Sequence, residues 1–507
     1  MRHQKFIVSA VLTVCIGAIA IVRLHTFNEP LERDLAAYMV IGNEVLHGKR
    51  LYSEIWDQKP PAIHYAYASA IAAVGYGPQA VYLLGLLTSG ITLVGVYVVA
   101  REIGGDRMSG LLAAVIFAVV CSDLALEANQ PNVEAFMNAC TTWFLALLLI
   151  GRRIGAGWRW GLVLGVVAAA GTLFKQIVAP LFFLEGLGLF FLPAPSGEEG
   201  RRRQWGQAIS AVLVVTSAWL AVCLWYWAGG HWQQFYGAVV LYNRFYAGNL
   251  TASLAKGVRL ENVFPSELRF CLPLVAIGAF WLGDAMLDPR WRKALVVAAG
   301  GLGTWLAVSL PAHYFPHYYQ LWLPLLAVVA GLGWVRIWNL ARGVGERRWR
   351  VLRIALLGSG IALLGLVAEH ELPGLRTPAG LWPLRKYKVE GRLFCEIPSD
   401  AKWIDRFLGP QETFFEWGLD PGLYYYSHRR PMTTLAYCHP LLSGPLVDGL
   451  ERVTLEQLQA GKPRLIVISK PLLGLGLRSP SLAWIRANYH AVGSPPKSEF
   501  FSFVERN

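Results

Sequence analysis

An aspartate, a tyrosine and a lysine pose the first chemical question in this sequence. Asp34 and Tyr38 are four residues apart, the spacing that puts two side chains on one face of a helix. Lys59 follows, directly ahead of Pro60 and Pro61. A carboxylate such as Asp34 is suited to take a proton from a hydroxyl nucleophile if its surroundings bring its proton affinity near neutrality. A lysine ahead of two prolines sits on a stiff, extended backbone, and its ammonium is suited to an anionic phosphate. Each has a plainer reading too: Asp34 as a solvated interfacial acid, Lys59 as a side chain reaching toward lipid head groups. The stretch lies between two strongly apolar segments and is divided by Gly48.

Other polar residues interrupt apolar runs further along. Asn129, Gln130, Asn132 and Glu134 precede one such run, and helix capping accounts for one or two of them. Lys175 and Gln176 break a long apolar stretch, where a lysine is costly without a partner or a task. Arg244 stands among aromatics in Tyr242-Asn243-Arg244-Phe245-Tyr246. His313 and His317 flank Pro316, with Tyr318 and Gln320 just after. That spacing crosses a proline and has no adjacent acidic ligand, so hydrogen bonding to a polar substrate is the preferred reading over metal binding.

The elements that must position these residues are membrane helices. The chain has 507 residues, of which 55% are hydrophobic and 16% charged, against roughly 25% charge in soluble domains. Its 20 Trp and 20 Tyr suit membrane interfaces. The net charge of +13 is spread over short loops between apolar runs rather than gathered on a basic helix, so nucleic acid is not an expected partner. Apolar runs cover residues 6–22, 79–100, 108–121, 133–150, 160–174, 177–192, 207–227, 269–282, 294–310, 319–335 and 352–368, about eleven spans near bilayer length. With the N-terminus cytoplasmic, the loops holding Arg101, Arg152, Arg201, Arg290 and Arg347 fall inside. Those holding Asp34, Glu127, Lys175, Tyr242 and His317 fall outside, as the positive-inside rule requires. The first outer loop, residues 23–78, reads as two amphipathic helices near the membrane surface.

The character changes after residue 369. Residues 370–507 are polar and punctuated by proline, with helical periodicity at Ala401–Leu408, a helix end at Leu455–Ala460 and a buried strand at Pro463–Ser469. This pattern predicts a small α/β domain outside the membrane. It contains no glycine-rich phosphate loop, nucleophile elbow or zinc spacing. Five of the seven cysteines lie in or beside apolar runs; Cys395 and Cys438 fall in this last segment and are expected to pair in an oxidising compartment.

The order Asp34-Leu35-Ala36-Ala37-Tyr38, Gly48 and Lys59-Pro60-Pro61 resembles the first outer loop of the GT-C glycosyltransferases, near family 39, which includes the bacterial aminoarabinose transferase and the protein O-mannosyltransferases. Asn132-Val133-Glu134, Phe174-Lys175-Gln176 and His317-Tyr318-Tyr319-Gln320 resemble later signatures of that group. The resemblance implies a GT-C type polytopic helical fold with a C-terminal α/β domain, and transfer of a sugar from a polyprenyl-phosphate donor to a hydroxyl acceptor. In that reading Asp34 is the catalytic aspartate, the general base. Lys59, Lys175 and Arg244 are donor-phosphate ligands, and Tyr38, Asn132, Glu134, Gln176, His317, Tyr318 and Gln320 contact substrate. Leu35 and Gln58 stand where relatives carry acids, which weakens any inference of a divalent metal, and no cofactor is expected. The expected location is the inner (plasma) membrane, with lipid, donor and acceptor as partners. A lipid-linked oligosaccharide transporter or polymerase is the alternative, and a sensor with a C-terminal receptor domain is a further one.

Overall fold

The structure is a computed structural model that describes residues 2–190, 192, 197–287, 291–343, 347–387, 389–474 and 479–507. Asp288, Pro289 and Arg290 of one basic loop lie outside the described residues. The chain divides into two compact units: Met1–Thr26, Tyr82–Val222 and Gly248–Thr377 form one, and Phe27–Val81, Cys223–Ala247 and Pro378–Asn507 the other. The C-terminal segment therefore clusters with residues 27–81 and with a short central piece.

The first unit is helical. Each expected apolar run falls on a helix. Among the described residues, six helices have the length and composition to cross a membrane: Lys5–His25, Pro78–Gly104, Val133–Arg153, Gly197–Ala228, Ser266–Met286 and Pro316–Leu340. Shorter apolar helices include Arg107–Val120, Trp158–Phe174 and Gln176–Phe190. Between apolar helices in lipid there is little hydrophobic drive, and small residues allow close backbone approach. At Gly331 a Cβ would lie 2.7 Å from the Ala113 amide nitrogen, and at Gly333 one would lie 2.4 Å from the Ile277 carbonyl. Any larger side chain there would force the helices apart.

The loop between Arg107–Val120 and Val133–Arg153 is braced from the first helix. Arg23 is 4% exposed and donates to the carbonyls of Cys121 (3.0 Å), Ala128 (2.9 Å) and Asn129 (2.8 Å). One guanidinium fork thus serves three backbone acceptors.

In the second unit, helix Arg33–Leu46 packs on helix Ala62–Val74. The first of these two helices is buried over more than one stripe. Residues 35–42 form an unbroken buried run, with Tyr38, Met39 and Ile41 fully enclosed. The C-terminal segment adds four strands, β1 (Phe414–Trp417), β2 (Leu465–Ser469), β3 (Tyr489–Ala491) and β4 (Phe501–Arg506), in the order β1-β2-β4-β3. β1 and β2 are parallel, pairing Phe415 with Ile466; β2 and β4 are antiparallel, pairing Val467 with Phe503. The parallel pair needs a crossover, which contains helix Val447–Gly461. β1 and β2 are buried along their whole length, as befits strands covered on both faces. The expected disulfide does not form: Cys395 and Cys438 are free. Each thiol is turned to its own carbonyl, Cys395 Sγ to Gly380 O and Cys438 Sγ to Glu416 O, both at 3.3 Å.

Candidate active site

Asp34 owes its place to Glu32. The Glu32 carboxylate caps helix Arg33–Leu46, accepting from the amides of Asp34 (2.8 Å) and Leu35 (3.0 Å). Asp34 then stands in the first turn, where the helix dipole favours a negative charge. Its side chain is 34% exposed, and its Oδ1 lies 3.2 Å from Lys59 Nζ, whose side chain is 13% exposed. The same ammonium lies 4.9 Å from the centre of the Tyr38 ring, a cation–π contact. Asp34, Tyr38 and Lys59 are thus brought together.

Lys59 is fixed from behind. Tyr52 sits at φ +72°, an unfavourable conformation for a residue with a side chain. Tyr226 and Phe235 pack against its ring at 5.3 and 5.5 Å, and its hydroxyl donates to the Lys59 carbonyl at 2.8 Å. Pro61 then opens helix Ala62–Val74. Asn243 Nδ2 donates to the carbonyls of Gln58 (2.6 Å) and Val239 (3.0 Å), clasping the residue before Lys59 to a π-helical turn, Gly237–Tyr242. Arg244 is the next residue and is exposed.

Asp57 is a residue that the sequence reading passes over. It is fully buried. Its Oδ1 accepts from the Tyr437 hydroxyl at 2.6 Å, and its Oδ2 lies 3.0 Å from Nε2 of the equally buried His64. That second contact is off hydrogen-bonding geometry. Burial alone would push the Asp57 carboxyl up, but Lys59, His64 and Tyr437 together hold it well below the usual carboxylate range. Burial likewise would lower the Lys59 ammonium, yet Asp34 and Asp57 hold it above the ordinary lysine value. One signal for Asp57 was in plain view: an acid two residues before the lysine, in the same loop.

In the helical unit a second cluster forms. Asn132 caps helix Val133–Arg153 through Oδ1. Helix Trp158–Phe174 ends at an extended Lys175, and Gln176 opens the short 3-10 turn after it. Lys175 Nζ reaches Glu134 Oε1 at 2.7 Å and lies 4.2 Å from the Tyr318 ring centre. Gln320 Nε2 donates to Leu126 O at 3.1 Å, and its carbonyl accepts from Asn138 at 3.0 Å. His317 Nδ1 meets Glu127 Oε2 at 3.1 Å, and His313 stacks on Phe315 at 5.6 Å. Glu127 and Asn138 are further residues that sequence reading does not single out as site residues.

This is the fold of the GT-C glycosyltransferases, which are multi-pass membrane proteins. Within that class the chain resembles glycosyltransferase family 39: residues 58–227 match the family described as dolichyl-phosphate-mannose-protein mannosyltransferase. The dolichol phosphate-mannose mannosyltransferase of Haloferax volcanii is 30% identical over 154 residues, which are 28% of this chain and 33% of the relative. The chain therefore covers about a third of the length of that curated relative. ArnT from Cupriavidus metallidurans bound to undecaprenyl phosphate superposes with a TM-score of 0.58 at 15% identity, over 98% of this chain and 97% of that one. Its apo state gives 0.61 at 15% identity, over 99% and 98%. The Archaeoglobus fulgidus oligosaccharyltransferase tethered with an acceptor peptide gives 0.54 at 12% identity, over 98% and 74%.

Proposed function

We propose that this chain is a glycosyltransferase that moves a sugar from a polyprenyl-phosphate donor to a hydroxyl acceptor, with inversion at the anomeric carbon. The observation that carries it is the Asp34–Lys59 pair at 3.2 Å at the head of the first-loop helix. Support comes from relatives named for dolichyl-phosphate-linked mannose and from a structural neighbour that holds undecaprenyl phosphate.

In this reading Lys59 binds the donor phosphate, and Asp34 receives the acceptor proton. The acceptor oxygen bonds to the anomeric carbon as the bond from that carbon to the phosphate oxygen breaks. The electron pair leaves with the polyprenyl phosphate, and the proton goes to Asp34. Neutralising the leaving phosphate and orienting the hydroxyl are the protein's main contributions. Arg244 and Lys175 are proposed as auxiliary phosphate ligands. Tyr38, Asn132, Glu134, Gln176, His317, Tyr318 and Gln320 are proposed to shape the substrate site. The reaction as written uses no metal. The active face is assigned to the outer side of the plasma (inner) membrane, with the N-terminus cytoplasmic and residues 370–507 outside.

The test is release of free undecaprenyl phosphate by the purified chain in nanodiscs, supplied with undecaprenyl-phosphate-linked mannose and other undecaprenyl-phosphate sugars together with a membrane glycan extract. Release with an inverted glycosidic bond supports the reading. Movement of intact lipid-linked saccharide across vesicles without release would replace it with the transporter reading.

A further inference from the structure

Glu185 lies inside the apolar helix Ala179–Phe190 of the first unit and is 4% exposed. An acid within a membrane segment is costly and calls for a partner. Among the described residues Glu185 makes no ion pair, and its buried Oε2 has no hydrogen-bond partner. The transfer reaction gives it no task.

Close packing fixes where this carboxylate points. A Cβ at Gly303 of helix Trp291–Ser309 would lie 2.7 Å from the Leu181 Cα, and one at Gly188 would lie 3.0 Å from the Ala299 Cβ. The carboxylate is thereby held over Gly300, where a Cβ would lie 3.9 Å from Oε1. There it faces a cavity of ≈ 30 Å³ that Thr141, Thr142 and Thr304 also line. Glu185 is the one ionisable side chain among the described residues of that lining.

The hydroxyls cannot supply what the carboxylate lacks. Thr141 Oγ1 already donates to Met137 O at 3.0 Å, and Thr304 Oγ1 to Gly300 O at 2.9 Å. A hydroxyl has one proton and two lone pairs, so these two have only lone pairs left. Thr142 adds at most one donor. An ionised carboxylate accepts only. Oxygen acceptors therefore outnumber donors around the cavity. A neutral glutamic acid would use one of those acceptors and none of the space, which exceeds the roughly 10–15 Å³ that a water needs. A hard cation uses oxygen ligands and room together. With one negative charge at hand, a monovalent ion is balanced and a divalent one is not.

We infer that Glu185, Thr141 and Thr304 form a binding site for a monovalent alkali cation, separate from the transfer centre. The ion supplies the missing counter-charge, and it ties helix Ala179–Phe190 to helices Val133–Arg153 and Trp291–Ser309.

Sodium is the probe, with the full-length chain in nanodiscs. Total salt is held constant with choline chloride, so that screening does not change, while Na⁺ rises from about 1 to about 300 mM. An ion that binds the folded chain raises Tm by mass action. Wild type should gain about 2–4 °C in a saturating manner and retain close to one radiolabelled Na⁺ per chain. Glu185→Gln keeps the shape of the neutral acid and removes the charge; it should lose both the gain and the retained ion. Thr304→Val keeps the side-chain shape and removes one oxygen; it should raise the half-saturating Na⁺ concentration by about three- to tenfold. Equal Tm in sodium and choline with no retained ion in wild type would overturn the inference in favour of a neutral acid. A sodium response that survives Glu185→Gln would overturn it by placing the ion elsewhere. An unchanged midpoint in Thr304→Val would overturn it too, and that variant decides the matter if Glu185→Gln is not recovered folded.

Discussion

The ammonium of Lys175 lies 2.7 Å from a carboxylate oxygen of Glu134, with side-chain exposures of 15% and 1%. Two residues each costly in an apolar setting are thereby made compatible with it. Removing one partner strands the other, at a cost of about 3–5 kcal/mol for a buried pair. Glu134→Gln and Lys175→Met should each lower the Tm in detergent markedly, and the double variant should recover part of the loss. Additive losses would mean that the pair is not coupled.

The Asp34 carboxylate is expected to act as general base. Asp34→Asn keeps shape and hydrogen bonding but cannot hold the proton, so turnover should fall by roughly 10²–10⁴-fold with donor affinity largely kept. Lys59→Ala should also weaken donor affinity, by about 10- to 100-fold. Steady-state kinetics with separate binding measurements distinguish the two, and full turnover by Asp34→Asn would remove the base role.

Asp400 offers a test by pH. It is 3% exposed, and burial pushes its carboxyl up to about 6, with Ser498 and Lys470 opposing and Glu396 assisting. The ordinary value is near 3.9, so the folded group holds its proton more tightly than the unfolded one. Its contribution to stability is complete below about pH 4 and is lost as pH rises through about 6. Asp400→Asn should therefore raise Tm by a few degrees at pH 8 and leave it unchanged at pH 4. Equal shifts at both would count against an ionising Asp400.

Arg23 is the brace of the loop ahead of helix Val133–Arg153. Arg23→Met leaves three buried carbonyls without their donor, at about 1–3 kcal/mol for each left unsatisfied. Limited proteolysis should then cut within residues 122–131, where wild type resists. Arg23→Lys, with a single ammonium in place of a fork, should fall between the two.

The sequence makes some of this architecture legible because certain signals are local. Asp34, Tyr38 and Lys59 are close in the chain, and helical spacing with a Pro-Pro stop is enough to group them. Apolar runs name their own helices, since a bilayer tolerates little else. Strand β2 is legible as five consecutive apolar or small residues, whereas β3, with three, has no pattern to show. Asp57 shows its nearness to Lys59 in the sequence but not its burial or its tyrosine partner. Its meaning comes from Tyr437 and His64, and no local rule links an acid to a tyrosine in a distant segment. The cysteines show the reverse failure: two thiols in one domain satisfy a counting rule, yet each faces a carbonyl of its own.

The hydrogen bond between Tyr437 and Asp57 spans 380 residues of chain, and the unit that contains it is gathered from three separate segments. During synthesis, residues 27–81 leave the ribosome long before the residues that complete their core exist. Contacts of such long range form slowly, so the loop has an extended period in which proteases and chaperones can reach it. A chain lacking residues 378–507 would keep the apolar helices of the first unit but leave Asp57 without its Tyr437 hydrogen bond. The fold of the second unit is therefore complete only once its third segment has joined the first two.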